Sequence, residues 1–118
     1  MAVYSHILLA VDFTPATDAV AQQAMALCKT FNARLSLVNV VEFVQMDLAN
    51  DLVLPQELEI DRELMDIARR RLQELAETLG VEESECFVAQ GSTRREILHL
   101  AEDQNVDLIV IGSHGRQG

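Results

Sequence analysis

The sequence predicts an α/β protein built on a doubly wound parallel sheet, with residues 1–118 forming a single domain. Two observations predict this class. Short apolar runs, typical of strands buried on both faces, alternate along the chain with segments whose apolar residues recur at helical spacing. Strand, helix and strand also follow one another three times, and connections of this kind join parallel strands. The length of 118 residues is that of one domain.

The composition is acidic, and this argues against some classes of partner. Nine Lys and Arg against nineteen Asp and Glu give a formal net charge of −10. Nucleic acids and anionic membranes bind basic patches, so we expect neither as the main partner. Acidity does not exclude one small anion, because backbone N–H groups at the start of a helix bind an anion locally.

The sequence predicts a cytoplasmic protein. No apolar run approaches the length of a membrane span, about 18 residues or more. The stretch Ile7–Val11 ends at Asp12, which is too short for a signal peptide. Cys28 and Cys86 show neither CxxC spacing nor a metal-ligand pattern, so we expect two free thiols in a reducing compartment.

The first expected strand is Ile7–Val11, a continuous apolar run. A helix should follow it. Thr14 is expected to cap that helix and Pro15 to take its first position, where the missing N–H costs nothing. The helical spacing of apolar residues continues to Phe31, and Asn32 ends the helix.

The second expected strand is Leu35–Val41, and Glu57–Leu79 is expected to be a long helix that Gly80 ends. Between them, Glu42–Pro55 has no clear period. A connection of that length is either functional or a flap packed on the edge of the domain, and the sequence leaves both open. Acidic residues at the start of the long helix favour its dipole, and we expect no metal site there. They are Glu57, Glu59, Asp61, Glu63 and Asp66.

The third expected strand is Glu85–Gln90, which is less apolar than the others. Thr93 and Glu96 have the spacing of a capping box at the start of the next helix. That helix should continue to about Gln104, on the apolar positions Ile97, Leu98 and Ala101. The fourth expected strand is Leu108–Ile111.

The first and fourth strands are the most purely apolar, so we expect both in the centre of the sheet and the third at an edge. If the first and fourth are neighbours, the strand order reverses between them. The crevice beyond their carboxyl ends is then the expected ligand site. Two segments meet there, Asp12–Thr14 and Gly112–Arg116.

The loop after the fourth strand has features of an anion site. Gly112 and Gly115 permit positive φ and a close approach of the backbone to a ligand. Their N–H groups can form an anion-binding concavity, and Arg116 adds a planar cation suited to phosphate. Many loops use this spacing only to turn, so the loop by itself leaves a phosphate site and a simple turn both open.

The whole chain resembles the universal stress protein family. His6–Asp12 looks like the family's opening strand with its terminal Asp, and Leu35–Val41 looks like its second strand. Asn105–Arg116 is the most specific stretch, close to the family's fourth strand and the start of its nucleotide loop. The resemblance implies a flavodoxin-like or Rossmann-like sheet in the order 3-2-1-4-5. The last helix and fifth strand are absent from this sequence, so we expect the domain to be truncated at its C-terminus.

The resemblance also implies an adenine-nucleotide site, whose base and ribose side has four members here. Ala10, Val11 and Asp12 would line the adenine and the ribose. Val40 would offer backbone groups to the adenine edge. Asp12 and main-chain groups would provide the polar contacts in an otherwise apolar pocket.

The remaining members of the implied site follow the fourth strand. Ile111 and Gly112 would flank the ribose, while His114, Gly115 and Arg116 would face the phosphates. ATP-binding members of the family continue from the second glycine through nine residues to Gly-Ser or Gly-Thr. That half of the motif would lie beyond the end of this sequence, so triphosphate binding and the family's dimer contact are not settled by the resemblance.

Several of these residues have a simpler structural interpretation. Asp12 could cap the first helix, His114 could be a solvated loop residue and Arg116 a surface charge. His6 begins a strand and His99 lies in a helix, so we expect both to be structural or exposed rather than catalytic.

Three functions remain open on the sequence. The first is an adenine-nucleotide (ATP or AMP) binding protein of the stress response, acting as a homodimeric sensor or regulator, with Mg²⁺ accompanying ATP. The second is a slow ATPase, although the sequence has no Gly-x-x-x-x-Gly-Lys-Ser/Thr loop. The third is a dimeric interaction module that binds no nucleotide. A Gly-Ser beyond Gly118 would favour the first function over the third.

Overall fold

The computed structural model describes residues 4–42 and 55–112, and these form a doubly wound α/β fold. Four parallel strands make the sheet, and three helices and one 3-10 turn connect them. In chain order the elements are β1 (His6–Ala10), α1 (Thr17–Phe31), β2 (Arg34–Val41), α2 (Pro55–Leu79), the 3-10 turn (Glu83–Glu85), β3 (Cys86–Gln90), α3 (Thr93–Asp103) and β4 (Leu108–Ile111). The predicted fold class is confirmed.

The strand order is β3-β2-β1-β4, which confirms the predicted order for these four strands. Leu8 of β1 lies between Ser36 of β2 and Ile109 of β4. The prediction of an edge position for β3 is confirmed, whereas the prediction of a central position for β4 is wrong for the described sheet. The apolar composition of a strand reflects coverage of its two faces by helices and does not report whether both of its edges are paired.

Alternate residues of β1 point into two cores on opposite faces of the sheet. Ile7 and Leu9 lie in the larger core with residues of α1 and α2. Leu8 lies in the smaller core with Val38 of β2 and Ile97 of α3. The five residues named here are at most 4% exposed, which explains why β1 reads as an unbroken apolar run.

The helices end where the sequence predicts, for the expected reason. Asn32 caps α1 with φ 54° and ψ 47°, and Gly80 follows α2 with φ +76°. Both lie in the left-handed region that Asn and Gly tolerate best. Residues 43–54 of the predicted Glu42–Pro55 connection lie outside the described residues. No helix in the described part of the chain is long and apolar enough to cross a membrane.

The predicted start of α1 is wrong. Thr14 and Pro15 precede the helix, whose first residue is Thr17 and whose N-cap is Ala16. The Thr14 amide and hydroxyl donate to the Asp12 carboxylate instead, and the Thr17 amide donates to the Thr14 carbonyl oxygen. Because Thr14 takes part in this turn, the helix begins at Thr17 and not at Pro15.

The predicted capping box of α3 is also wrong. Ser92 is the N-cap, and Thr93 is already the first helical residue. The Thr93 hydroxyl donates to the Glu42 carboxylate at 3.1 Å, so a contact across the fold replaces the local one. Leu98, expected on the apolar stripe of α3, is 51% exposed, whereas Ile97 is buried.

Candidate functional site

β1 and β4 are neighbours, and a cavity of about 360 Å³ opens at their carboxyl ends. Its volume falls in the range of small-molecule sites, roughly 300–1,000 Å³. Its position is the one where open parallel sheets bind ligands, because the strand order reverses between these strands. The cavity is lined by Ala10, Val11, Asp12, Val38, Asn39, Val40, Thr93, Ile97, Ile111 and Gly112.

Asp12 follows β1 directly and lies at the rim of the cavity. One of its carboxylate oxygens, Oδ1, accepts hydrogen bonds from the Thr14 amide at 3.2 Å and the Thr14 hydroxyl at 3.0 Å. The Thr17 hydroxyl donates to the same oxygen at 3.3 Å. These contacts fix the orientation of an exposed carboxylate and tie it to the start of α1.

Phe13 adopts a left-handed backbone conformation, with φ 55°. Such a conformation costs a residue with a Cβ atom about 1 kcal/mol or more, so its surroundings must hold it in place. The Arg71 guanidinium of α2 lies 4.7 Å from the centre of the Phe13 ring, which is cation–π geometry. The long helix α2 therefore supports the loop that carries Asp12.

The end of β1 is held to β2 on the cavity side. The Val11 amide donates to the Val38 carbonyl oxygen at 2.8 Å. The Asn39 side-chain amide donates to the Val11 carbonyl oxygen at 2.6 Å. Sequence reasoning missed Asn39. Its signal was present, since Asn39 is the one amide in the otherwise apolar carboxyl half of β2.

The start of α3 forms another wall of the cavity, through Thr93 and Ile97. Sequence reasoning missed both as site residues, because it treated Thr93 as a helix cap alone. The signal was positional. The segment after β3 begins at the same end of the sheet as the segments after β1 and β4, so its first helix must approach the same crevice.

Ile111 of β4 and Gly112, which follows the strand, line the cavity. Ile111, the last residue of β4, is 63% exposed. At Gly112, a Cβ atom would lie 3.0 Å from Cγ2 of Val20 in α1. The close approach of α1 to the end of β4 therefore leaves little room for a side chain at residue 112.

Six residues assigned to the nucleotide site line this one cavity. They are Ala10, Val11, Asp12, Val40, Ile111 and Gly112. The structure thus brings together the ends of β1, β2 and β4 as the sequence predicts. His114, Gly115 and Arg116 lie outside the described residues. The ligand contacts assigned to all nine residues stay predictions.

The two remaining histidines are remote from this cavity. His6 is 5% exposed and belongs to a hydrogen-bonded cluster at the opposite end of the sheet, while His99 is exposed on α3. The sequence predicts placements of these two kinds, structural or exposed, for the two histidines. In the part of the chain that the structure describes, no group of three His, Cys, Asp or Glu side chains could hold a metal ion.

Both cysteines are free. Cys28 lies on the buried face of α1, and burial raises the pKa of its thiol. Cys86 is half-buried at the start of β3. Its pKa is raised by burial and then by the negative charges of Glu83 and Glu85. Raised thiol pKa values keep both side chains in the less reactive, protonated form.

This fold and cavity define a doubly wound α/β protein with a cavity at the topological switch point of its sheet. Comparison with known proteins then identifies the family. Residues 4–118 match the Universal stress protein family. The chain is 31% identical over 115 residues to Universal stress protein A homolog 1 of Coxiella burnetii, covering 98% of this chain and 80% of the relative. It is 25% identical over 111 residues to Universal stress protein A of Escherichia coli K12, covering 94% and 76%. The chain belongs to the universal stress protein family.

Solved structures agree with this fold. Universal stress protein UspA from Lactobacillus plantarum superposes with a TM-score of 0.78 at 22% identity, covering all of this chain and 83% of that chain. A universal stress protein solved in complex with cAMP superposes with a TM-score of 0.60 at 16% identity, covering 98% and 77%. At these identities the likeness supports the architecture.

Proposed function

We propose that this universal stress protein binds an adenine nucleotide, ATP or AMP, and acts as a sensor or regulator in the stress response. The observation that carries the proposal is the cavity of about 360 Å³ at the switch point between β1 and β4. Occupancy would order the segments around the cavity and shift the population of states that a partner or a second copy recognises.

The walls of the cavity suit a flat apolar base with a polar sugar. Val38, Val40 and Ile97 provide the apolar surface. Asp12 and Asn39 provide polar groups whose orientation is fixed by hydrogen bonds to the backbone or to neighbouring hydroxyl groups. A few oriented polar groups in an apolar pocket are what gives a small-molecule site its specificity. We assign the ribose hydroxyl groups to Asp12.

Phosphate groups would lie toward the start of α3 and the loop after β4. α3 begins at Thr93 on the cavity wall, and its exposed first turn carries Arg94 and Arg95. The positive end of a helix dipole attracts anions. His114, Gly115 and Arg116 would complete this side of the site, and Mg²⁺ would accompany ATP.

One structural relative supports the ligand class. The universal stress protein solved in complex with cAMP shares the sheet on which this cavity is built. An adenine nucleotide in that protein makes the same chemistry a reasonable assignment for this one. The assignment to this chain is ours.

Calorimetric titration tests the proposal. ATP, AMP and cAMP would be titrated into the chain with and without Mg²⁺, alongside Asp12→Asn and the charge-matched control Asp18→Asn. Asp18 is exposed in the first turn of α1 and does not line the cavity. We expect Asp12→Asn to weaken binding about 10- to 100-fold, the effect of one hydrogen bond to a charged group.

Two outcomes would contradict the proposal. If none of the nucleotides bound to the chain, the proposal would be wrong. Equal weakening by Asp12→Asn and Asp18→Asn would show that net charge, rather than a contact in this cavity, determines affinity. The same samples would be assayed for phosphate release, so that turnover of bound ATP is measured rather than assumed.

A dimeric interaction module is the second candidate, and the exposure of Ile111 favours it. Within residues 4–42 and 55–112, β4 pairs only with β1, and Ile111 is 63% exposed. An open strand edge beside an exposed aliphatic side chain is a surface on which another chain can pair. Sedimentation that shows a homodimer, together with titrations that show no nucleotide binding, would support this function instead.

A further inference from the structure

We propose that the folded protein binds one proton in a cluster formed by the buried residues His6 and Ser36 and the partly buried Glu85. The cluster lies at the amino ends of β1 and β2, opposite the candidate nucleotide site, so it is independent of the proposed function. It makes the stability of the fold dependent on pH near neutrality.

The cluster is a continuous chain of hydrogen bonds. His6 Nδ1 lies 3.0 Å from the Gln104 carbonyl oxygen. His6 Nε2 lies 2.7 Å from the Ser36 hydroxyl oxygen. The Ser36 hydroxyl donates to Glu85 Oε1 at 2.6 Å, and Arg34 Nε lies 2.8 Å from Glu85 Oε2.

Counting donors and acceptors fixes where the protons lie. The Gln104 carbonyl oxygen only accepts, so His6 Nδ1 carries a proton. Glu85 accepts from the Ser36 hydroxyl through Oε1 and from Arg34 through Oε2, so both of its oxygens act as acceptors. Ser36 has a single proton and donates it to Glu85. Its oxygen must then accept from His6 Nε2, which carries the second ring proton. The ring is therefore an imidazolium.

A neutral ring cannot satisfy the same contacts. With one proton fewer, two lone pairs would face each other across one of these short distances. His6 is 5% exposed and Ser36 is 0% exposed, so water cannot replace the lost bond without a rearrangement. A buried polar group without a partner is costly, and this cost keeps the proton in place.

The charges around the ring compensate its burial. Besides Glu85 on the 3-10 turn and Arg34 on β2, the Asp107 carboxylate, which precedes β4, accepts a hydrogen bond from the His6 backbone amide at 2.9 Å. Two positive and two negative groups therefore meet here. Burial of an ion is tolerated when it is paired and hydrogen-bonded in this way.

Folding consequently takes up a proton above the pH at which a histidine in an unfolded chain loses it, about 6.5. From there upward, the unfolded state binds one proton fewer than the folded state, so stability decreases as pH rises. The effect is about tenfold in the unfolding equilibrium constant for each pH unit, for as long as the folded cluster keeps its proton.

Glu85→Gln is the variant that separates this proposal from a purely structural cluster. The carbonyl oxygen of the introduced side chain would accept from Arg34, and its amide would donate to the Ser36 oxygen. Ser36 would then donate to His6 Nε2, so that a neutral ring satisfies every contact. Glu82→Gln is the matched control, because it removes the same charge from an exposed residue nearby.

The first measurement is a two-bond ¹H–¹⁵N correlation spectrum of the histidine rings at pH 8. His99→Gln and His114→Gln identify the other two rings. We expect two protonated nitrogens on His6 in the unsubstituted chain and in Glu82→Gln, and one in Glu85→Gln. An unprotonated ring nitrogen on His6 in the unsubstituted chain at pH 8 would overturn the proposal.

The second measurement is urea unfolding from about pH 7 to 8, where an unfolded histidine is largely neutral. The unfolding constant of the unsubstituted chain should rise about tenfold more over this interval than that of Glu85→Gln. Glu82→Gln should follow the unsubstituted chain. Parallel curves for the unsubstituted chain and Glu85→Gln would show that folding takes up no proton here and would also overturn the proposal.

Discussion

At residue 112, the absence of a side chain is a requirement of packing. Gly112 follows β4 directly and lies beside α1, and an added Cβ atom would lie 3.0 Å from Val20 Cγ2. The next nearest atoms of Val20 are 3.7 and 3.8 Å away, so the conflict is with one methyl group. The φ of Gly112 lies outside the left-handed region. Glycine is therefore required here by the lack of space for a side chain and not by the backbone conformation.

We therefore predict that Gly112→Ala lowers the free energy of unfolding by about 1–3 kcal/mol, the usual cost of overpacking. The same substitution in a Val20→Ala background should cost much less, because the conflicting methyl group is gone. Urea unfolding of the four proteins in this cycle measures the coupling between the two residues. An equal cost in both backgrounds would place the conflict elsewhere.

Some site residues were predictable from the sequence and others were not. Asp12 was predictable because a polar residue directly after a buried parallel strand must lie at the ligand end of the sheet. Asn39 and Thr93 were missed because their roles depend on partners in other elements, the Val11 carbonyl oxygen and the Glu42 carboxylate. Spacing along one segment carries no information about such partners.

At the scale of elements, one carboxylate joins the turn before β4 to the start of β1. Asp107 Oδ2 accepts from the Ser5 hydroxyl at 2.7 Å, the Ser5 amide at 2.8 Å and the His6 amide at 2.9 Å. These hydrogen bonds, led by that of the Ser5 hydroxyl, lower the pKa of Asp107, and the charge of His6 adds to them. The folded state therefore stabilises the ionised form of the Asp107 carboxyl group.

We predict a matching loss of stability in acid. A carboxyl group with a lowered pKa contributes stability above its unfolded value, about pH 4, and loses that contribution as pH falls through the folded value. Asp107→Asn should therefore flatten the decrease in unfolding free energy below about pH 4.

The control for Asp107 is Asp103→Asn, which removes the same charge from an exposed residue at the end of α3. Urea unfolding at a series of pH values would compare both variants with the unsubstituted chain. If the Asp107→Asn curve keeps the slope of the unsubstituted chain, the three hydrogen bonds do not select the ionised form.

Element ends were predicted unevenly. The carboxyl ends of α1 and α2 were correct, because Asn32 and Gly80 adopt the left-handed conformation through local sterics. The amino ends of α1 and α3 were wrong, because the side chains of Thr14 and Thr93 have more than one acceptor within reach. Each bonds a carboxylate outside its helix rather than capping it.

At the scale of the whole molecule, the formal net charge of −10 opposes the compact state. The described ion pairs are few and exposed or partly exposed, such as Arg69 with Asp66, and pairs of this kind contribute little. Repulsion among unpaired carboxylates therefore outweighs attraction between pairs. Screening by salt should therefore weaken the repulsion between carboxylates more than it weakens the attraction within ion pairs.

We predict that the free energy of unfolding rises with sodium chloride between about 0.02 and 0.3 M, where the screening length falls below about 10 Å. The measurement is urea unfolding at fixed pH, with chloride chosen because sulfate also strengthens apolar burial. A decrease in stability with salt would show that ion pairs dominate instead.

The topology was the most predictable property of the molecule. Alternating apolar runs and amphipathic segments leave few ways to cover both faces of a parallel sheet, and the observed order of four strands is among them. The edge position of β4 in the described sheet was not predictable from the apolar composition of the strand, because strand pairing involves backbone atoms that every residue type shares. Hydrophobicity distinguishes the buried faces of a strand from its exposed faces, but it does not indicate whether the edges of the strand are paired.

The anchoring of β1 has a consequence for the thermodynamics of binding. Val11 has its amide bound to Val38 and its carbonyl oxygen bound to Asn39, and Ala10 is paired with strands on both sides. These backbone groups have already lost their freedom when the chain folds. A ligand that contacts them immobilises little that was moving, so less of its interaction energy is spent on conformational entropy.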